Sequence, residues 1–133
     1  MKINSKYVMI TSAITLGIIG IGLTFLPEEI AEYLTINSSP LSIIILQILG
    51  SLYLGFAMLN WMARTMLIGG IYGKPLVIGN MIHFLVSSFA LIKASFKMGD
   101  HANVLIVFTI IYVIFTLCFS YLSRTNPNLK QKP

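Results

Sequence analysis

The composition of this 133-residue chain excludes an ordinary water-soluble domain. Apolar residues make up 56% of it and charged residues only 10%, whereas soluble domains carry about 25% charged residues. A chain this short has too little interior to hide so much apolar surface from water. The formal net charge of +5 would suit nucleic acid, but the basic residues are scattered between hydrophobic segments. We therefore expect lipid as the solvent and no nucleic-acid partner.

Four segments of the chain are long enough to cross the hydrocarbon core of a bilayer, which takes about 20 helical residues. They are residues 7–26, 41–62, 75–96 and 103–122. Each is continuously apolar rather than alternating, which favours helices over the strands of a membrane barrel. Short connections imply antiparallel sequential neighbours. The predicted fold is an all-α integral membrane protein, an up-down bundle of four transmembrane helices in residues 1–123, followed by a polar tail, residues 124–133.

The charged residues predict the orientation of these spans. Seven basic residues fall on one side of the predicted membrane: Lys2, Lys6, Arg64, Lys74, Arg124, Lys130 and Lys132. The opposite side receives all four acids and only two lysines: Glu28, Glu29, Glu32, Asp100, Lys93 and Lys97. Because basic residues in short loops stay cytoplasmic, we expect a multi-pass protein of the bacterial inner membrane with both termini in the cytoplasm.

The segment after the first span predicts a short helix on the outer surface. Pro27 suits the first turn of a helix, and Glu28 and Glu29 suit its positive N-terminal end. Ile30, Tyr33 and Leu34 then share one face at helical spacing. We expect this face to lie against the membrane surface.

Polar residues recur at helical spacing toward the cytoplasmic ends of the spans, with Thr11 and Thr15 in the first and Asn80, His83 and Ser87 in the third. Polar groups at depth in a membrane are where function concentrates. The candidate ligand-binding residues are Asn60, Asn80, His83, Tyr112 and Thr116. We predict that His83 faces the bundle interior and forms a hydrogen bond with Asn60 or Tyr112.

Two interpretations of this polar cluster stay open. The polar groups could satisfy one another and hold the helices together. Alternatively, they could line a cavity, open to the cytoplasmic leaflet, for a small molecule, a lipid head group or a quinone, with His83 as donor or proton acceptor. A metal site is not expected, because no carboxylate or thiol is near His83 in sequence.

The absence of certain residue types from the spans argues against several classes of membrane protein. No Asp or Glu lies in any of the four spans, which argues against a small proton-coupled exchanger. Cys118 is the single cysteine, so chemistry that needs cysteine pairs within the chain is excluded. No pairing of a nucleophile with a base is evident. We therefore expect neither an enzyme nor a bound cofactor.

Two stretches of the chain resemble a known group of proteins. Residues 27–34, Pro-Glu-Glu-Ile-Ala-Glu-Tyr-Leu, and residues 46–56, Leu-Gln-Ile-Leu-Gly-Ser-Leu-Tyr-Leu-Gly-Phe, resemble the DoxX-like group of small bacterial four-helix membrane proteins. The pieces Asn60-Trp61-x-x-Arg64 and Gly79-Asn80-x-x-His83 look like those of short proteins from Bacteroidetes-type bacteria. The resemblance implies a four-helix bundle in the inner membrane. One group member is a subunit of a thiosulfate:quinone oxidoreductase, but no catalytic residue of that activity is matched here.

Together these features predict a non-catalytic binding or accessory subunit with a polar pocket on the cytoplasmic side. Its partners would be the lipid bilayer and a small apolar ligand or another membrane protein. The alternative is a small homo-oligomeric transporter or channel. The polar residues thin out toward the outer side, which fits a one-sided pocket better than a continuous pathway.

Overall fold

The computed structural model describes residues 4–34, 36–66, 72–96 and 102–124, and these residues form five helices. The helices are α1 (Ser5–Phe25), α2 (Pro27–Tyr33), α3 (Pro40–Ala63), α4 (Gly73–Ser95) and α5 (Ala102–Arg124). All except α2 are long and apolar enough to cross a membrane. The predicted fold class is confirmed: the chain is an all-helical, multi-pass membrane protein, consistent with a four-helix bundle.

The ends of the four long helices lie within two residues of the predicted spans. At the start of α3, the Ser39 side chain caps the helix by accepting a hydrogen bond from the Ser42 backbone N–H at 3.2 Å. Pro40 follows in the first turn, where its missing N–H is not needed. Of the predicted polar tail, only Arg124 belongs to the described residues, where it ends α5; residues 125–133 lie outside them.

The short helix α2 is confirmed, and the contact of its Ile30, Tyr33 and Leu34 face with the membrane surface stays a prediction. Pro27 and Ala31 are its buried residues, whereas Tyr33 is 53% exposed. The side chain of Ile30 reaches Gly22, since its Cδ1 lies 3.5 Å from where a Cβ on that glycine would be. The small side chain of Ala31 lets α2 pack closely, so this helix is held by contacts with the protein as well as by any contact with lipid.

The described contacts group the chain into two compact units. The α1–α3 unit comprises residues 9–64 and contains most of α1, all of α2 and all of α3. The α4–α5 unit comprises the described residues among 4–8 and 65–124, and contains the first residues of α1 together with α4 and α5.

Helices α1 and α3 run antiparallel and meet at their backbones. Near one end Ser12 contacts Asn60, and near the other Gly20 faces Gly50. Each glycine carbonyl oxygen lies 3.0 Å from the position that a Cβ on the other glycine would occupy. Small residues permit this approach, which is the usual way for membrane helices to gain packing contacts.

In the α4–α5 unit the two helices are also antiparallel. The Ser88 and Thr116 hydroxyl oxygens lie 3.3 Å apart, and those of Ser95 and Thr109 lie 3.5 Å apart. The second pair is seven residues further along α4 and seven residues earlier in α5. The hydroxyl pairs therefore follow the interface between these helices in register.

Candidate ligand-binding site

Asn60 is the predicted site residue of the α1–α3 unit, and the structure buries it completely. Its Nδ2 donates a hydrogen bond to Ser12 Oγ at 3.1 Å. Ser12 is also fully buried and donates to the Met9 carbonyl oxygen at 3.0 Å. The first of these hydrogen bonds joins α3 to α1, and the second fixes the Ser12 hydroxyl within α1.

The buried polar residue that α1 contributes is therefore Ser12, which was not predicted. The sequence had indicated Thr11 and Thr15 instead. Thr11 is exposed, and Thr15 Oγ1 donates to the Thr11 carbonyl oxygen of its own helix at 2.9 Å. A spacing of four residues could have indicated it: Ser12, Leu16 and Gly20 follow one another at this spacing, and Leu16 is also buried. Such a row marks one helix face.

A groove runs beside the Ser12–Asn60 hydrogen bond, between α1 and α3, and has a volume of about 460 Å³. It is lined by Ala13, Ile14, Leu54, Ala57, Met58 and Trp61. Ala13 and Ala57 are buried and form its floor, while the larger side chains of Ile14 and Met58 are exposed and form its rims. Its volume falls within the range of small-molecule sites in proteins, and its lining carries aliphatic, thioether and aromatic groups.

Arg64 does not line this groove, but it contacts Trp61, which does. Its guanidinium carbon Cζ is 4.4 Å from the centroid of the Trp61 ring, a cation–π arrangement. The same guanidinium donates a hydrogen bond to the Trp61 carbonyl oxygen. Trp61 thus lines the groove and also stacks against the Arg64 guanidinium.

The other predicted site residues lie in the α4–α5 unit. Asn80 is fully buried, and its Nδ2 donates to the Leu76 carbonyl oxygen within α4 at 3.0 Å. His83 is half-buried, and its ring centroid lies 6.0 Å from that of Tyr112, at a tilt of 48°. The structure thus brings His83 and Tyr112 together as neighbouring rings. The hydrogen bond from His83 to Asn60 or Tyr112 stays a prediction.

Thr116 is buried at the interface of α4 and α5, but its partner on α4 is Ser88. Thr116 Oγ1 donates to the Tyr112 carbonyl oxygen at 2.9 Å, and Ser88 Oγ donates to the Phe84 carbonyl oxygen at 2.7 Å. Ser87, which the sequence analysis placed in the cluster, is only half-buried. These hydroxyl groups are satisfied by their own helices and by each other, as expected of groups that serve packing.

Phe84 is the centre of the α4–α5 interface and was also missed. It is fully buried and stacks on the rings of Phe115 and Phe119, with centroids 4.8 and 5.6 Å away, while Tyr112 meets it edge-on at 5.2 Å. The missed signal is again a spacing of four, from Asn80 to Phe84 to Ser88. This aromatic core favours the packing interpretation for the α4–α5 unit.

A second groove of about 270 Å³ lies between α4 and α5 near Ser95 and Thr109. It is smaller than the usual ligand site, and His83 is not among the residues that line it. Across residues 4–34, 36–66, 72–96 and 102–124, no three His, Cys, Asp or Glu side chains come together as metal ligands would.

Comparisons with known proteins give no relative for this chain: no protein-family model, no curated protein and no solved structure matches it.

Proposed function

We propose that this protein is a non-catalytic binding or accessory protein of the bacterial inner membrane that holds an apolar membrane molecule. The observation that carries the proposal is the groove between α1 and α3, with its floor of two buried alanines. The proposed site lies in the α1–α3 unit. The predicted residue Asn60 does not line the groove, but its hydrogen bond to Ser12 holds the two helices together beside it.

The chemistry of the groove supports an apolar occupant. Its six lining residues carry no charge, and a lipid chain or a quinone tail gains contacts there without losing any hydrogen bond. The Ser12–Asn60 hydrogen bond holds α1 and α3 together beside the groove, so the floor is formed before a ligand arrives. A preformed site needs less ordering on binding. The resemblance to DoxX-like proteins agrees with this role, since it suggests a small membrane subunit.

The proposal includes the orientation with both termini in the cytoplasm. Within the α1–α3 unit the acids Glu28, Glu29 and Glu32 lie in α2, at one end of α3, and Arg64 lies at the other end. This asymmetry supports a cytoplasmic C-terminal end of α3. A reporter fused at Lys130 should be active when it requires the cytoplasm and silent when it requires the periplasm. The reverse pattern would contradict the orientation.

Native mass spectrometry of the protein purified in a mild detergent tests the binding function. We expect an adduct with the mass of a lipid or quinone that survives removal of the detergent. The variant Ala13→Leu, which fills the floor of the groove, should lose the adduct. Ala90→Leu is the matched control, because it adds the same volume at an exposed position of α4.

Two results would contradict the proposal. Wild-type protein without any adduct would argue against binding, and an adduct that persists in Ala13→Leu would argue against the groove. Solute flux through the purified protein in liposomes would instead favour the alternative function, a homo-oligomeric transporter or channel.

A further inference from the structure

We infer that the occupant of the α1–α3 groove is an anionic phospholipid, with an acyl chain between α1 and α3 and its phosphate at Arg64. The inference rests on the proposed function and names the ligand class for the same groove. Three observations lead to it: the distance along α3 from the far end of the groove to Arg64, the fixed position of the Arg64 guanidinium and the distribution of charge in the α1–α3 unit.

The distance along α3 from the far end of the groove to Arg64 matches one leaflet of a bilayer. The groove extends along α3 from Leu54 to Trp61, and Arg64 lies three residues beyond. Ten residues of α-helix from Leu54 to Arg64 span about 15 Å. The hydrocarbon core of a bilayer is about 30 Å thick, so this distance equals about half of it. A lipid with its head group at Arg64 would therefore lay its chain along the groove to the middle of the membrane.

Arg64 is held where a phosphate of that lipid would lie. Stacking on Trp61 and the hydrogen bond to the Trp61 carbonyl oxygen hold the guanidinium against a residue that lines the groove. A guanidinium has five N–H donors in one plane, so a phosphate can accept two of the others. Because Arg64 is partly ordered by Trp61 already, less side-chain entropy is lost on binding than for a mobile cation.

The charge at this end of the α1–α3 unit favours an anionic head group over a neutral one. Arg64 is the only basic residue between positions 9 and 64, and the three acids of this stretch lie in α2, at the far end of α3. A lipid with a net negative charge is therefore attracted at Arg64. A zwitterionic lipid also brings a positive group, which Arg64 repels. An uncharged quinone can accept a hydrogen bond from the guanidinium through its carbonyl oxygens, but it gains no attraction between opposite charges.

Competition between two phospholipids tests this inference. Delipidated protein in a mild detergent would receive equal amounts of phosphatidylglycerol and phosphatidylcholine with identical chains, and native mass spectrometry would count the retained molecules. One arginine near the membrane surface should favour the anionic lipid about fivefold. Arg64→Gln should bring the ratio close to one. The control Arg124→Gln, which also removes one arginine from a helix end, should leave the ratio unchanged.

Arg64→Lys provides a second variant that keeps the charge but not the planar stacking group, and it should retain a reduced preference. Equal retention of the two lipids by the wild type would overturn the inference even if Arg64→Gln fails to fold. If Arg64→Gln and Arg124→Gln lose the preference for phosphatidylglycerol equally, the inference is also overturned, because the lipid would then be attracted by the overall charge of the protein.

The remaining outcomes separate this inference from the proposed function. If the wild type retains phosphatidylcholine or an added quinone as well as it retains phosphatidylglycerol, the groove binds apolar molecules and only the anionic lipid is wrong. If no lipid or quinone is retained, both proposals fail. A lipid-free dimer would indicate that a second copy of the chain covers the groove, which also contradicts the anionic lipid.

Discussion

Gly20 of α1 and Gly50 of α3 lie opposite each other so closely that neither position has room for a side chain. A Cβ on Gly20 would be 2.9 Å from the Leu54 backbone nitrogen, and a Cβ on Gly50 would be 2.8 Å from the Thr24 backbone nitrogen. Both obstacles are backbone atoms, which cannot move aside as a flexible side chain can. The two helices would have to separate to admit even a methyl group.

Gly50→Ala should therefore destabilise the protein by about 2 kcal/mol, within the usual cost of overpacking. Gly55→Ala is the matched control on the same helix, because a Cβ there meets nothing within 4 Å, and it should be neutral or slightly stabilising. The free energy of unfolding in mixed micelles titrated with a denaturing detergent would measure both. Equal effects of the two substitutions would contradict the close approach of α1 and α3.

The Ser12–Asn60 hydrogen bond should contribute a small but measurable coupling energy. Hydrogen bonds between membrane helices average about 0.6 kcal/mol and reach about 1.7 kcal/mol. A double-mutant cycle with Ser12→Ala and Asn60→Ala should give a value in this range, at the upper end because both residues are fully buried. The cycle Ser51→Ala with Asn60→Ala should give zero, since the exposed Ser51 hydroxyl donates to the Ile48 carbonyl oxygen of its own helix. Additive effects in the first cycle would mean that this hydrogen bond adds nothing to stability.

The four long helices were predictable from the sequence because a helix that crosses lipid must be long and apolar. Pro27 likewise marked the start of the short helix α2. The partners of each helix face were less predictable. Apolar residues surround these helices on all sides, so polarity does not show which face meets a neighbour. Asn60 was identified as a polar residue toward the cytoplasmic end of an apolar span, whereas Ser12 could not be separated from Thr11 by periodicity alone.

The groove itself was not predictable, because it depends on the register of two helices. Ala13 and Ala57 form its floor only because α1 and α3 are antiparallel and meet at that level. The stacking of Arg64 on Trp61 is different. It joins residues three apart on one helix, a spacing that brings side chains together, and could have been predicted from the sequence.

Phe84 should be the most sensitive position of the α4–α5 unit. Phe84→Ala removes a ring that contacts Tyr112, Phe115 and Phe119 and leaves a cavity among them. We expect a loss of about 3 kcal/mol in the free energy of unfolding. Phe89→Ala lies on the same helix, and 65% of the Phe89 surface is exposed. It should cost far less, because lipid can fill the space that the lost ring occupied. Comparable losses for both variants would argue against an aromatic core around Phe84.

The central claim, that the α1–α3 groove holds a membrane molecule, is tested most directly by photo-crosslinking from two methionines of α3. Met58 lines the groove and is 60% exposed, while Met62, four residues later, is 67% exposed and does not line it. A photoreactive residue would replace each methionine in turn. After illumination in native membranes, mass spectrometry would measure the mass of the labelled peptide. We predict a discrete adduct of one lipid or quinone mass at position 58, several-fold more abundant than at position 62. Equal labelling by the same mixture of lipids at both positions would contradict the claim, because it would mean that the groove holds only bulk lipid.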